Sequence, residues 1–360
     1  MKICYLADIN SAHTHKWLNY FKTKGYDIHV ISLGNGEFEG VTVHCLDLMD
    51  DVMKKSSDKN KLQYFKKVKR VRELVKEIKP DILHAHYATS YGLLGALANY
   101  HPYIISAWGS DVYDFPIKSP IHKMMLKYNL KKADYIFSTS NVMKNETQKY
   151  TDKDIEVTPF GVDIDRFAPK RVEKDEVVIG TIKTLEEKYG IQYLVKAFKL
   201  LKDRNTDINL KLRIGGRGSQ EEYLKNLCKE LDIDKDVTFL GFVNPDDVVK
   251  EFQNFDIAVF PSTLDSESFG VAAVEAESCG TPIVVSDVGG LMESTKPGVT
   301  SLVAKKASVE DLANKIDVLV KDEELRNKMG EAARKFVEDN YSLQDNFNYV
   351  DELYKKIVSK

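Results

Sequence analysis

Long apolar runs, cysteine and net charge are all scarce in this 360-residue chain, and each shortage removes a class of protein. No stretch approaches the ~18 consecutive apolar residues of a membrane-spanning helix, which excludes an integral helical membrane protein. Residues 1–6 lack the apolar core and cleavage site of a secretory leader and read as a first strand, so a cytoplasmic location is expected. Cys4, Cys45, Cys228 and Cys279 are scattered, with no Cys-x2-Cys pair and no histidine at metal-ligand spacing. A disulfide framework and a zinc site are thereby excluded, and all four read as buried thiols. A net charge of −3 excludes a general nucleic-acid binder. Neither short-period repeats nor low-complexity tracts occur, which rules out solenoids.

What the chain does have is enough apolar material for two cores: 43% of its residues are hydrophobic. Short runs rich in β-branched residues alternate with helical periods throughout, the pattern of parallel sheets with crossover helices. Strands are expected at 2–6, 27–32, 41–45, 81–85, 103–106, 135–138 and 155–157. A second set is expected at 177–180, 209–214, 237–240, 257–260, 282–286 and 301–303. Pro159 and Gly161 interrupt both periodicities and mark a boundary between two doubly wound domains. Ligands of such sheets bind at the carboxyl ends of the strands, and two facing sheets make a cleft.

Charge is unevenly placed. Residues 54–79 carry eleven basic side chains against three acids, interleaved with apolar positions at helical spacing. A basic amphipathic helix is expected there, able to dock on an anionic membrane surface or simply to be solvated.

The most informative segment runs from Asp265 to Pro282. Glu267 precedes a helix, Ser268, Phe269, Gly270 and Val271 lie at its start, and Glu275 follows eight residues after Glu267. Unpaired amides and the dipole at a helix start favour a phosphate, and Gly270 permits close approach. Of the two carboxylates, one can face a transferred sugar and the other a ribose diol. This stretch resembles the signature of the retaining glycosyltransferases of family 4, which adopt the GT-B fold. Four more segments are similar to that family's motifs. They are Asp81-Ile-Leu-His-Ala-His86, Trp108-Gly-Ser-Asp-Val112, Thr158-Pro-Phe-Gly-Val-Asp163 with Arg166-Phe167, and the loop from Gly180 to Gly190. They follow the family's order along most of the chain.

The resemblance implies an α/β GT-B protein with two Rossmann-like doubly wound domains facing across a cleft. Residues 1–165 would form an acceptor domain, completed by the C-terminal helix 343–360, and residues 166–342 would hold the nucleotide sugar. Lys183 and Lys188 match the family's basic pair on the departing diphosphate; many members have Arg at the first position, and Lys lacks that bidentate fork. Gly215, Arg217, Phe242 and Val243 lie where members hold base and ribose. Asn10 and Ser11 stand where relatives use Gly-Gly to approach the donor phosphate. His86 is the residue expected on the transferred sugar, and Asp111 is expected to accept a proton or orient the acceptor hydroxyl. No Asp-x-Asp is placed to hold a metal, since Asp163 and Asp165 belong to the interdomain segment, so metal independence and no cofactor are expected. The substrate would be a UDP-, GDP- or ADP-sugar, and the acceptor a glycan or a lipid-linked glycan, in surface polysaccharide or glycoconjugate synthesis.

Retention by a front-face, ion-pair-like displacement is implied by the family. Glu267 either orients the donor sugar or acts as a nucleophile. Two rival readings are a nucleotide-sugar epimerase of the same fold and a non-catalytic nucleotide or glycan binder.

Overall fold

The computed structural model describes residues 1–47, 58–170 and 174–360. The described chain divides into two compact units, one of residues 1–160 with 344–360 and one of residues 161–343. The break falls between Phe160 and Gly161, five residues earlier than the boundary expected at 165.

Seven parallel strands form the sheet of the first unit: β1 (Lys2–Leu6), β2 (Asp27–Ser32), β3 (Thr42–Cys45), β4 (Ile82–His86), β5 (Tyr103–Ala107), β6 (Tyr135–Ser138) and β7 (Ile155–Val157). Their order is β3-β2-β1-β4-β5-β6-β7, with the chain reversing its direction of travel between β1 and β4. The central strands are buried on both faces, which is why β4 and β5 read as nearly unbroken buried runs. Helices α1 (Ala12–Thr23), α2 (Asp58–Ile78), α3 (Ser90–Ala98), α4 (Pro120–Lys132) and α5 (Asn141–Gln148) connect them. Of the expected basic segment 54–79, residues 54–57 lie outside the described residues, and the helix itself begins at Asp58. Its Val68, Val71, Leu74, Val75 and Ile78 are buried in the core. On its outer face Lys69 meets Glu73 at 4.0 Å, and Arg70 meets Glu73 at 3.6 Å and Glu77 at 3.5 Å.

The second unit repeats the plan with six parallel strands: β8 (Val177–Ile182), β9 (Leu210–Gly215), β10 (Val237–Gly241), β11 (Ile257–Phe260), β12 (Ile283–Ser286) and β13 (Ser301–Ala304). The order β10-β9-β8-β11-β12-β13 again reverses direction at its centre, between β8 and β11. Helices α6 (Ile191–Arg204), α7 (Glu221–Glu230), α8 (Pro245–Asn254), α9 (Val271–Ser278), α10 (Gly289–Ser294), α11 (Val309–Lys321) and α12 (Glu323–Asn340) complete it. Strand β8 extends two residues beyond the expected end at Gly180, so Lys183 follows the strand directly.

Helix α13 (Leu343–Val358) belongs almost wholly to the first unit. Phe347 sets its ring 5.1 Å from Trp17 and 5.0 Å from Tyr20 of α1. Polar clasps finish the seam: the Tyr26 hydroxyl donates to Asp351 at 2.6 Å, and the Tyr354 hydroxyl meets Nδ1 of His84 at 2.5 Å. The other nitrogen of His84 meets the Ser106 hydroxyl at 2.8 Å, so the helix is anchored through β4 to β5.

Candidate functional site

In the second unit the loops leaving β8, β9 and β10 are laced by backbone hydrogen bonds. Lys183 N–H donates to Gly215 C=O at 2.9 Å, Leu185 N–H to Arg217 C=O at 2.9 Å, and Gly216 N–H to Gly241 C=O at 2.7 Å. Glycine is required for this closeness. A Cβ on Gly216 would stand 1.9 Å from the Lys183 carbonyl oxygen, and φ there is +129°. The lacing brings Lys183, Gly215, Arg217, Phe242 and Val243 to one edge of the sheet, with Arg217 and Phe242 exposed.

The same loop after β8 presses onto the loop after β11. Thr263 donates its amide at 2.8 Å, and its hydroxyl at 3.1 Å, to the Lys188 carbonyl. A Cβ on Gly190, whose φ is +69°, would lie 2.0 Å from the Pro261 carbonyl oxygen. Lys183 thereby meets Glu267: Nζ and Oε2 are 2.6 Å apart, with only 18% and 10% of the two side chains exposed. Ser262 adds a hydroxyl 3.5 Å from the same oxygen. Both lysines lie over the Tyr189 ring, Lys183 at 4.7 Å and Lys188 at 5.1 Å from its centroid. Two cations and a carboxylate from separate loops thus converge on one small region.

Beyond Glu267 the chain enters α9, with Gly270 as its N-cap at φ +78°. Ser268, Phe269, Gly270 and Val271 occupy the helix start, and Glu275 lies about one turn inside, half-buried. The Phe269 side chain is core, packed edge-on against Tyr341 at 5.2 Å, so what it presents to a ligand is its backbone. The N-terminus of α10 supports this loop from behind: a Cβ on Gly290 would stand 2.2 Å from the Glu267 carbonyl oxygen. One acid on α9 escaped the sequence reading. Glu277 is wholly buried, and burial holds its carboxyl well above the usual carboxylate range. Its signal was there, an acid on the helix face that Ala273, Val274 and Ser278 bury, yet solvated glutamates are common on helices.

The first unit places its own candidates at the carboxyl edge of its sheet. His86 ends β4 and is 1% exposed, ringed by Trp108 at 4.7 Å, Trp17 at 4.9 Å and Tyr5 at 5.0 Å. Neither ring nitrogen has a hydrogen-bond partner among the described residues. Burial, with a smaller push from His13, lowers its pKa to about 3, so the imidazole is neutral. His13, also missed, stacks on Phe160 at 4.3 Å beside Trp108. Asn10 uses its side-chain amide on the Asn35 carbonyl at 3.0 Å, and Ser11 caps α1 without a side-chain bond.

Asp111 is fully buried, with Oδ2 accepting from Ala88 N–H at 2.7 Å, and Oδ1 accepting from Gly109 N–H at 2.8 Å and Trp108 N–H at 3.1 Å. A carboxylate so enclosed holds the two loops in place. Burial raises its pKa, opposed by those amides. Among the described residues no group of three or more His, Cys, Asp or Glu side chains converges as a metal site.

Two family models match the chain in tandem. "Glycosyl transferase 4-like" covers residues 2–140, and "Glycosyl transferases group 1" covers residues 163–336. An uncharacterized glycosyltransferase of Methanocaldococcus jannaschii is 36% identical over 184 residues, 51% of this chain and 46% of that protein. The chain matches about half the length of the first of its curated relatives. A longer match, 26% identical over 313 residues, covers 80% of this chain and 78% of the N-acetyl-alpha-D-glucosaminyl L-malate synthase of Bacillus anthracis. Among solved structures, the Anabaena protein HepE in complex with UDP and glucose superposes with a TM-score of 0.77 at 18% identity, covering 99% of this chain and 100% of that one.

Proposed function

The chain belongs to the group 1, family 4 glycosyltransferases of GT-B fold, and from that premise we propose that it moves a sugar, with retention, from a nucleoside diphosphate sugar to a glycan or lipid-linked acceptor. The observation that carries the reading is the 2.6 Å contact between Lys183 and Glu267, with Lys188 sharing the Tyr189 ring, at the threshold of α9.

A departing nucleoside diphosphate gains negative charge as the glycosyl bond breaks, and preorganised cations and amides at that spot lower the barrier. Lys183, Lys188 and the start of α9 supply them without a metal. An arriving diphosphate competes for Lys183, which releases Glu267 to orient the hydroxyls of the donor sugar. Glu275 takes the ribose diol, and Arg217, Phe242 and Val243 bound the base. Gly215 admits the nucleotide to the loop. In the first domain, neutral His86 offers a hydrogen bond to the transferred sugar, and the segment bearing Asn10 and Ser11 lines the approach. Asp111 is a positioning residue, which leaves the diphosphate itself to deprotonate the acceptor. The enzyme works in the cytoplasm, at the inner face of the membrane, in surface polysaccharide or glycoconjugate assembly.

Calorimetric titration with UDP, GDP and ADP, followed by assays of the matching sugar nucleotides with and without acceptor, tests the proposal. One base should bind, and its sugar nucleotide should release diphosphate faster with acceptor present. Conversion of the sugar without release would make the protein an epimerase, and binding without turnover a carrier.

A further inference from the structure

Helix α4 and the turn before it expose four large apolar side chains in a row: Ile117 (77% exposed), Ile121 (72%), Met124 (65%) and Tyr128 (40%). The intervals of three and four keep Ile121, Met124 and Tyr128 on one side of the helix, opposite the buried Leu126, Asn129 and Leu130, while Ile117 stands exposed in the turn before it. Alongside run Lys118, Lys123, Lys127 and Lys131, all exposed, with Lys132 beyond them. Not one Asp or Glu occurs from residue 116 to 133; Asp114 and Asp134 bracket the segment.

From this face we infer that α4 is the surface by which the protein docks on an anionic lipid bilayer, its apolar ridge entering the headgroup boundary and its lysines meeting lipid phosphates. The ridge is the outer side of a helix and offers no groove for a peptide to fill, whereas a bilayer accepts a convex apolar edge beneath snorkelling lysines. A second copy of the chain fits poorly, because a two-fold contact would set each row of lysines near another. The basic helix α2 is a weaker candidate. Its described apolar residues are all in the core, and Lys69 and Arg70 are engaged by Glu73 and Glu77. Both α2 and α4 pack against α3, so α2 adds cationic field on the same layer, and its described side chains supply nothing to insert. The turn bearing Ile117 follows β5, at the sheet edge where His86 and Trp108 lie, and docking there sets that edge close to a lipid-linked acceptor.

This inference rests on the membrane-acceptor part of the function proposed above, and flotation is therefore read beside nucleotide release from a soluble donor, so that the two can fail separately. The full chain should float with phosphatidylcholine vesicles containing about 30 mol % phosphatidylglycerol at low salt, and not with pure phosphatidylcholine. Both Ile121→Ser/Met124→Ser and Lys123→Glu/Lys127→Glu should cut the floated fraction at least about fivefold with unchanged melting and nucleotide release, whereas Lys69→Glu on α2 should cut it less. Failure of the wild-type chain to float, or equal flotation of the Ile121→Ser/Met124→Ser variant, overturns the inference. So does sedimentation showing a wild-type dimer that this variant dissociates, since the ridge would then be a contact between copies.

Discussion

Lys183 and Glu267 neutralise each other across 2.6 Å while both side chains are mostly out of solvent. Removing either one leaves the other as an incompletely paired charge in a partly dry pocket, so the two substitutions differ in consequence. Glu267→Ala frees Lys183 for the diphosphate. Turnover should fall by about a thousandfold, on the order of 4 kcal/mol, while calorimetry shows nucleoside diphosphate affinity unchanged or higher. Lys183→Ala removes a cation from the leaving group, and should lower both kcat/KM and nucleotide affinity, kcat/KM by about a hundredfold. Equal loss of nucleotide affinity in the two variants would contradict the competition between sugar-orienting acid and phosphate.

At the scale of the element, strand β4 carries two imidazoles that the fold keeps uncharged. Burial lowers the pKa of His84 well below its ordinary value and that of His86 to about 3, while an unfolded histidine titrates near 6.5. With folded pKa values depressed, each contributes stability that is complete above about pH 6.5 and is lost as pH falls towards the folded value. The slope is at most about 1.4 kcal/mol per pH unit for each ring. His29 and His44, whose pKa values burial also lowers, add the same sign. The urea midpoint should therefore drop between about pH 7 and about pH 5, before most carboxylates titrate, and drop less in His86→Gln.

The strands themselves were plain in the sequence, because a parallel strand buried on both faces is largely apolar, as β5, β11 and β12 are and β1 is after Lys2, while β4 departs from that pattern at His84 and His86. The segment around Glu267 and Gly270 was legible for a related reason, since a glycine at positive φ before a helix leaves a local trace. The ion pair of Lys183 with Glu267 was not. It depends on two loops whose approach is set by Gly190 against Pro261, and no periodicity encodes contact between residues 84 apart. The amide contacts of Asp111 were not legible, because a carboxylate that binds neighbouring amides and one that meets a substrate look alike in a Trp-Gly-Ser-Asp string. His13 went unassigned because its stacking on Phe160 joins distant segments. For α2, the helix was foreseen but the ion pairs along its outer face were not weighed.

For the whole molecule, the first unit is assembled from residues 1–160 and 344–360, and α13 covers α1 through Phe347 and clamps β4 through Tyr354. Deleting residues 344–360 uncovers Trp17, Tyr20 and Phe21 and leaves His84 Nδ1 without its hydroxyl partner. The loss exceeds the several kcal/mol of an ordinary domain's margin, at ~1.5–3 kcal/mol for each large apolar side chain re-exposed. Proteolysis of the truncated chain should digest the first unit and spare residues 161–343, which retain their own core. Uniform resistance of both units would show that α13 is dispensable.

This arrangement also sets an order of events during synthesis. The second unit is continuous in the chain, so a nascent polypeptide that has emerged as far as residue 343 already holds all of it. The first unit, although begun earlier, must wait with α1 unroofed until α13 has emerged as well. Of the two units the one begun first is thus the later to be completed, and for that interval its aromatic seam is the surface a chaperone would meet.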